Sequence, residues 1–333
     1  MKIAFTLCSI NYLGQAKTLF DTMQKSNPDW KFIIGLVDKN ADQADISFLN
    51  CDVLYVEELN IEGFDEMVKS YSIVELVTSV KPFYFTHLFK ANPDTQKVVY
   101  FDPDIMVFGS LKDLETKLEL NDIILTPHLT TPIEDELQPT EKHLFNTGVF
   151  NLGFLALSRS DNTQSMLNWW GNKLRYECIL DLSRGLFVDQ LWMNLVPAYF
   201  QKVLIDKHPG YNMAHWNLHE RRLTEKDGVY EVNGLPLYFY HFSHYNPSKP
   251  QELASFHTRY NFQSRPEMLN FYEEYRKLLV ENHFFYLKKI KCFYMKNESR
   301  KKLKKSAYAF FRNNLPLGLK IKLKPVLDML TAT

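Results

Sequence analysis

Asp102 and Asp104 stand one residue apart, with Pro103 between them, where an apolar run gives out. That run, Lys97-Val98-Val99-Tyr100-Phe101, is β-branched and aromatic, the pattern of a strand buried on both faces. Pro103 has no backbone donor, so the ladder has to stop there and both carboxylates are left at a sheet edge. In open α/β sheets ligands bind outside the carboxyl ends of strands. Hard oxygen ligands at that position suit Mg²⁺ or Mn²⁺, cations that combine a few carboxylates with substrate phosphates. An ordinary Asp/Pro turn accounts for the same three residues.

Other stretches carry groups suited to the same chemistry. Lys81 opens the helix-like run Lys81-Pro82-Phe83-Tyr84-Phe85-Thr86-His87-Leu88. A cation there can serve a diphosphate or remain a surface charge. Phe145-Asn146-Thr147-Gly148-Val149-Phe150-Asn151-Leu152-Gly153 places amides and glycines around an expected buried strand, where backbone can approach a ligand or form a bulge. Asp189 and Gln190 fall near the start of an apolar helix, where an aspartate also complements the helix dipole. In Tyr238-Phe239-Tyr240-His241-Phe242-Ser243-His244, either imidazole can complete a borderline-hard Mn²⁺ site with two aspartates. A histidine in an aromatic run is equally a hydrogen-bonded core residue. The segment Gly210 to Arg221 is dense in amide, imidazole and aromatic groups, which suit sugars or a self-packed loop.

The surrounding pattern alternates strand and helix, which predicts an α/β fold with a mostly parallel sheet and helices on both faces. Strands are expected over 2–8, 31–37, 52–56, 97–102, 122–126 and 148–157, and helices over 13–25, 64–78, 82–91, 111–117 and 162–176. A hairpin-like pair is expected over 229–232 and 236–240, and helix from about 266. A composition shift near 265 divides a catalytic domain, 1–265, from a helical, basic, amphipathic extension, 266–333.

With 45% hydrophobic and 23% charged residues, the 333-residue chain excludes disordered and collagenous classes. Cys8, Cys51, Cys178 and Cys292 form no Cys-x-x-Cys pair, which argues against a zinc site or disulfide framework and for a reducing compartment. Neither a signal sequence nor a membrane span is expected. The net charge of zero hides an asymmetry: thirteen basic residues from Lys288 to Lys324 face one acid, Glu298. Aromatic and aliphatic residues interleave with them, as in basic amphipathic helices on an anionic bilayer. A solvated basic face is the alternative, and nucleic acid is not expected as a partner because interleaved aliphatics add nothing to phosphate binding.

Taken in order, Lys81-Pro82, Val98 to Ile105, Phe145 to Asn151, Asp189-Gln190 and His241-Phe242-Ser243 resemble the nucleotide-sugar-dependent glycosyltransferases of GT-A fold. The likeness is greatest to the family that includes glycogenin and bacterial lipooligosaccharide galactosyltransferases, and it covers about residues 1–260. It implies that Asp102, Asp104 and His241 hold Mn²⁺ (or Mg²⁺), with Asp102 also near the donor ribose. It implies a donor site, with a UDP-sugar favoured, drawing on Thr6, Ser9, Asn11, Asp38, Lys81, Asn146 and Asn151. Asp189 and Gln190 match the segment facing the reacting carbon. The family's glycine and lysine after the metal histidine are displaced here, with His244 at the glycine place and Lys249 arriving late for the diphosphate.

The implied reaction moves a hexose to a hydroxyl of a cell-surface glycan, with retention if Gln190 or the leaving phosphate stabilises the cationic face. Inversion would require a base such as Asp189. The implied location is cytoplasmic, on the inner face of the cell membrane. A sugar nucleotidyltransferase would carry a Gly-rich phosphate loop after the first strand, and Cys8 to Gly14 has one glycine. A non-catalytic glycan-binding scaffold is the remaining alternative.

Overall fold

The computed structural model describes residues 1–39 and 45–297. The larger part of the basic, amphipathic stretch, from residue 298 onward, lies outside the described residues. Four parallel strands form one half of the main sheet: β1 (Lys2–Cys8), β2 (Lys31–Leu36), β3 (Asp52–Tyr55) and, on the other side of β1, β4 (Lys97–Phe101). A short β5 (Ile105–Val107) belongs to a second sheet. β6 (Ile123–Leu125) and β7 (Phe154–Ser158) extend the main sheet beyond β4, with β7 antiparallel to both neighbours, and Val203–Ile205 adds a parallel edge to β6. The result is seven strands, parallel apart from β7.

Helices cover both faces. α1 (Leu13–Ser26) connects β1 to β2 and stops before Asn27-Pro28, because the residue before proline disfavours helical geometry. α2 (Phe64–Ser70), α3 (Ile73–Ser79) and α4 (Lys81–Ala91) lead into β4. The single helix expected over 64–78 is two, because Ser72 and Glu75 form a capping box that starts a new helix. α5 (Lys112–Leu120), α6 (Glu141–Thr147) and α7 (Asp161–Glu177) follow, α7 capped by Ser160. One core layer gathers Phe5, Tyr84, Phe85, Tyr100, Leu155 and Trp170, and the opposite one gathers Leu13, Leu19, Phe101, Leu114, Phe154 and Phe239.

Two expectations are corrected. The strand predicted over 148–157 begins only at Phe154: Thr147 ends α6, Gly148 has φ +124°, and the residues up to Gly153 cross the sheet end without regular pairing. Val229–Val232 pairs with Leu223–Lys226 and Leu235–Pro236, whereas Phe239–His241 leaves for the second sheet. There it lies between Met213–Ala214 and β5.

After α8 (Val196–Tyr199) and these short strands, α9 (Glu267–Glu281) places Phe271, Tyr272, Tyr275 and Leu279 in one core with Tyr240 and Phe242. Phe284, Leu287, Cys292 and Tyr294 are also buried, so part of the apolar face assigned to lipid is covered by protein.

Candidate active site

β4 ends at Phe101, and the backbone then turns: Asp102 N–H donates to Gly153 O at 2.7 Å, and Ile105 N–H donates back to Asp102 O at 3.1 Å. β5 starts at once and pairs antiparallel with Phe239–His241, setting His241 opposite Ile105. Phe242 N–H also donates to Asp104 O at 2.8 Å. Strand register thus carries an imidazole 137 positions downstream to the two carboxylates. His241 Nε2 lies 3.0 Å from Asp104 Oδ1 and 3.7 Å from Asp102 Oδ2. One ligand atom from each of the three residues falls within 4.8 Å of the others, the sole such group among the described residues.

These separations fit a hexacoordinate cation, whose neighbouring ligand atoms stand about 3 Å apart when metal–ligand distances are about 2.1 Å. Two carboxylates and one imidazole form a donor set suited to Mn²⁺, and Mg²⁺ fits with a larger share of oxygen ligands. Burial by itself would lower the His241 pKa, but Asp104 and then Asp102 raise it above its ordinary value. Desolvation raises Asp102 despite the opposing charges of Lys81 and His241. Asp104 is pushed up by burial, yet the imidazole beside it holds it below the usual carboxylate range. Tyr100 steadies Asp102 by donating its hydroxyl to Oδ1 at 2.5 Å.

Behind this triad lies a buried polar layer. Lys81, 1% exposed at the first turn of α4, sets its Nζ 2.6 Å from Asp189 Oδ2 and donates to Leu152 O at 2.9 Å. The same ammonium lies 4.2 Å from the centre of the Tyr100 ring. Gln190 accepts from Leu152 N–H at 3.0 Å and donates to Thr147 O at 2.9 Å, so its amide braces the 147–152 crossing. Asn151 reaches both His128 Nε2 (3.1 Å) and His241 Nδ1 (3.3 Å).

Sequence-derived residues away from this layer are placed differently. Thr6 is fully buried in β1, and Ser9 Oγ bonds Asn11 Oδ1 at 2.6 Å just beyond that strand. Asp38, at the end of β2, accepts from Lys39 and Phe293 N–H at 2.8 and 2.9 Å and from Ile10 N–H at 3.4 Å. Its carboxylate is therefore bound to backbone, including a strap formed by the chain after α9. Asn146 is exposed on α6, and Lys249 is an exposed residue paired with Glu252 at 3.1 Å. His244 is also exposed, its ring 4.7 Å from Phe256. Sequence reading did not single out His128 or Asn212, both buried in this layer. Their signal was faint: one imidazole after β6 and one amide in a segment full of amides.

The glycosyl transferase family 8 profile matches residues 3–227. The uncharacterized protein YfnF of Bacillus subtilis is 26% identical over 262 residues, covering 76% of this chain and 84% of that protein. YfnD of the same organism is 26% identical over 175 residues, 51% of this chain and 53% of its own length. Among solved structures, galactosyltransferase LgtC in complex with donor and acceptor sugar analogs aligns over 84% of this chain and 96% of that chain, with 16% identity and a TM-score of 0.47. The glycosyltransferase GlyE of Streptococcus pneumoniae aligns over 87% and 64% respectively, with 14% identity and a TM-score of 0.45. With a profile match over more than half its length and an Asp-Pro-Asp turn at the carboxyl end of a central strand, the chain is a glycosyltransferase that belongs to glycosyl transferase family 8.

Proposed function

We propose that the protein transfers a hexose from a nucleoside diphosphate sugar, a UDP-sugar by preference, to a hydroxyl of a cell-surface glycan. Asp102, Asp104 and His241 would hold Mn²⁺ (or Mg²⁺). The observation that carries this reading is the convergence of the three side chains beyond β4. When bound, the cation neutralises charge that builds on the departing diphosphate. Thr6, Ser9 and Asn11, on and just beyond β1, would form the donor edge. In this reading the buried Lys81 ammonium acts through its partner, compensating Asp189 beneath the site.

Retention is the favoured outcome. An inverting transferase needs a carboxylate free to take the acceptor proton. Asp189 is 2% exposed and bound to Lys81, and Gln190 spends both ends of its amide on backbone. In this reading both fix the floor of the site, leaving proton transfer to the leaving phosphate. The basic stretch after residue 297 would hold the enzyme on the anionic inner face of the cell membrane. Among the described residues no helix is long and apolar enough to cross a membrane.

Incubation with a panel of nucleoside diphosphate sugars, with and without Mn²⁺, tests the proposal. Release of nucleoside diphosphate should require the metal and fall by at least about 10²-fold in Asp102→Asn and Asp104→Asn. Release of pyrophosphate would point to a nucleotidyltransferase, and metal-independent turnover at the wild-type rate in both variants would sink the site assignment.

A further inference from the structure

The amides behind His241 have a directional order that the metal reading leaves unexplained. Gly153 N–H lies 3.1 Å from the Asn151 Oδ1 position, and a backbone N–H can only donate. The atom facing it is therefore oxygen, which settles the orientation of the Asn151 amide. Asn212 Nδ2 approaches the same oxygen at 3.0 Å and places its other hydrogen on Thr126 Oγ1, also at 3.0 Å. His241 Nδ1 is the third group on that oxygen, at 3.3 Å. Facing an acceptor, Nδ1 must carry a proton, so the neutral ring keeps its lone pair on Nε2, the atom beside Asp104 and Asp102.

The ring is also packed closely on one side. A Cβ at Gly153 would fall 2.4 Å from His241 Cε1 and 2.6 Å from Nδ1, so the imidazole lies flush against the backbone. Asn212 is fully buried in the left-handed region (φ +52°), and Asn217 Nδ2 donates to its carbonyl at 3.1 Å. Asparagine tolerates that backbone, and aspartate does as well.

Resting on the metal reading above, we propose that Asn212 and Asn151 form an amide relay that fixes the tautomer and direction of His241, making Asn212 a positioning residue for divalent-cation binding. Outer partners of metal-bound histidines typically change metal affinity by 10–100-fold when lost. Asn151 is also assigned to the donor site, so the relay is read out on Mn²⁺ with no sugar nucleotide present.

Two near-isosteric variants separate this role from simple packing. Asn212→Asp keeps shape and backbone preference but replaces the amide donor with an acceptor, setting a carboxylate oxygen against the Asn151 oxygen that Gly153 N–H holds in place and breaking the order on which His241 Nδ1 closes. Asn151→Asp keeps the acceptor oxygen on which the three donors converge. Mn²⁺ titrations of the full chain, followed by electron paramagnetic resonance without any sugar nucleotide, should show Asn212→Asp weakened about 10–100-fold and Asn151→Asp within about threefold of wild type. Melting temperatures without metal report folding separately. Equal Mn²⁺ affinity in wild type and a folded Asn212→Asp overturns the relay alone. Equal losses in both variants also overturn it, because they would make the effect one of packing. A wild-type chain that binds no Mn²⁺ overturns the metal reading itself, and the relay with it.

Discussion

Removing one partner of the Lys81–Asp189 pair should cost more than removing both. Each side chain is almost completely buried, so truncating one leaves the other as an uncompensated charge, at a cost of about 3–5 kcal/mol. Lys81→Met and Asp189→Leu should each lower stability by that order in urea unfolding, and the double variant should recover much of it. Additive losses would show that the pair is not a coupled unit. A second test concerns His128, whose pKa is pushed down to about 4, chiefly by burial. An unfolded imidazole titrates near 6.5, so between about pH 6.5 and 4 the unfolded chain binds the extra proton and acidification favours unfolding. The stability is present above that window and is lost as pH falls through it, by on the order of 3 kcal/mol. His128→Gln should therefore flatten the decline in melting temperature between about pH 7 and about pH 4.5, and an unchanged slope would refute the assignment. Asp102 and Asp104 were legible from the sequence because local chemistry announces them: a strand run followed by a proline. His128 and the pairing of Lys81 with Asp189 were not, since burial and a contact across 108 positions leave no local mark.

Between elements, the main sheet followed from alternation because each of its longer strands carries its own apolar run, as β1 and β4 do. The second sheet was invisible: Met213–Ala214, Phe239–His241 and β5 are two or three residues each, and their pairing is imposed by what they pack against. One contact that imposes it is a glycine. Tyr238 and Phe239 N–H both donate to Gly210 O, at 2.9 and 3.2 Å, and a Cβ on Gly210 would lie 1.9 Å from Pro236 O. The clash is with backbone, so it has to be relieved by moving the 236–238 segment that leads into Phe239–His241, or the 210–214 segment. Gly210→Ala is expected to cost at least about 1–3 kcal/mol and to weaken Mn²⁺ binding, since His241 rides on the displaced strand. A melting curve paired with a Mn²⁺ titration checks both. Wild-type values in both would mean that the close approach does not position the histidine.

Across the whole chain, the residues after 265 divide into two parts with different work. α9 stacks Tyr275 on Phe242 with ring centres 3.9 Å apart, and the Tyr272 hydroxyl meets that of Tyr240 at 2.8 Å, directly behind the strand carrying His241. The chain then crosses α1, where Asn282 donates to Thr18 Oγ1 at 3.1 Å, and reaches the end of β2 through Phe293 and Asp38. Five buried side chains of α9 contribute about 1.5–3 kcal/mol each, a sum comparable with the net stability of a typical domain. A chain ending at Arg265 should therefore be insoluble or melt without a cooperative transition. A cut before Lys288 would also strip Cys292 and Tyr294 from the core. Beyond Asn297 the composition changes: nine lysines and arginines, from Arg300 to Lys324, stand against Glu298 and Asp328. A chain ending at Asn297 should keep the melting temperature and metal-dependent donor hydrolysis of the full protein. It should also lose sedimentation with phosphatidylserine-containing vesicles, because each basic residue near such a surface contributes about 1 kcal/mol. Undiminished vesicle binding by that shortened chain would move the membrane contact onto the folded body, and lost hydrolysis would assign residues 298–333 to the catalytic unit.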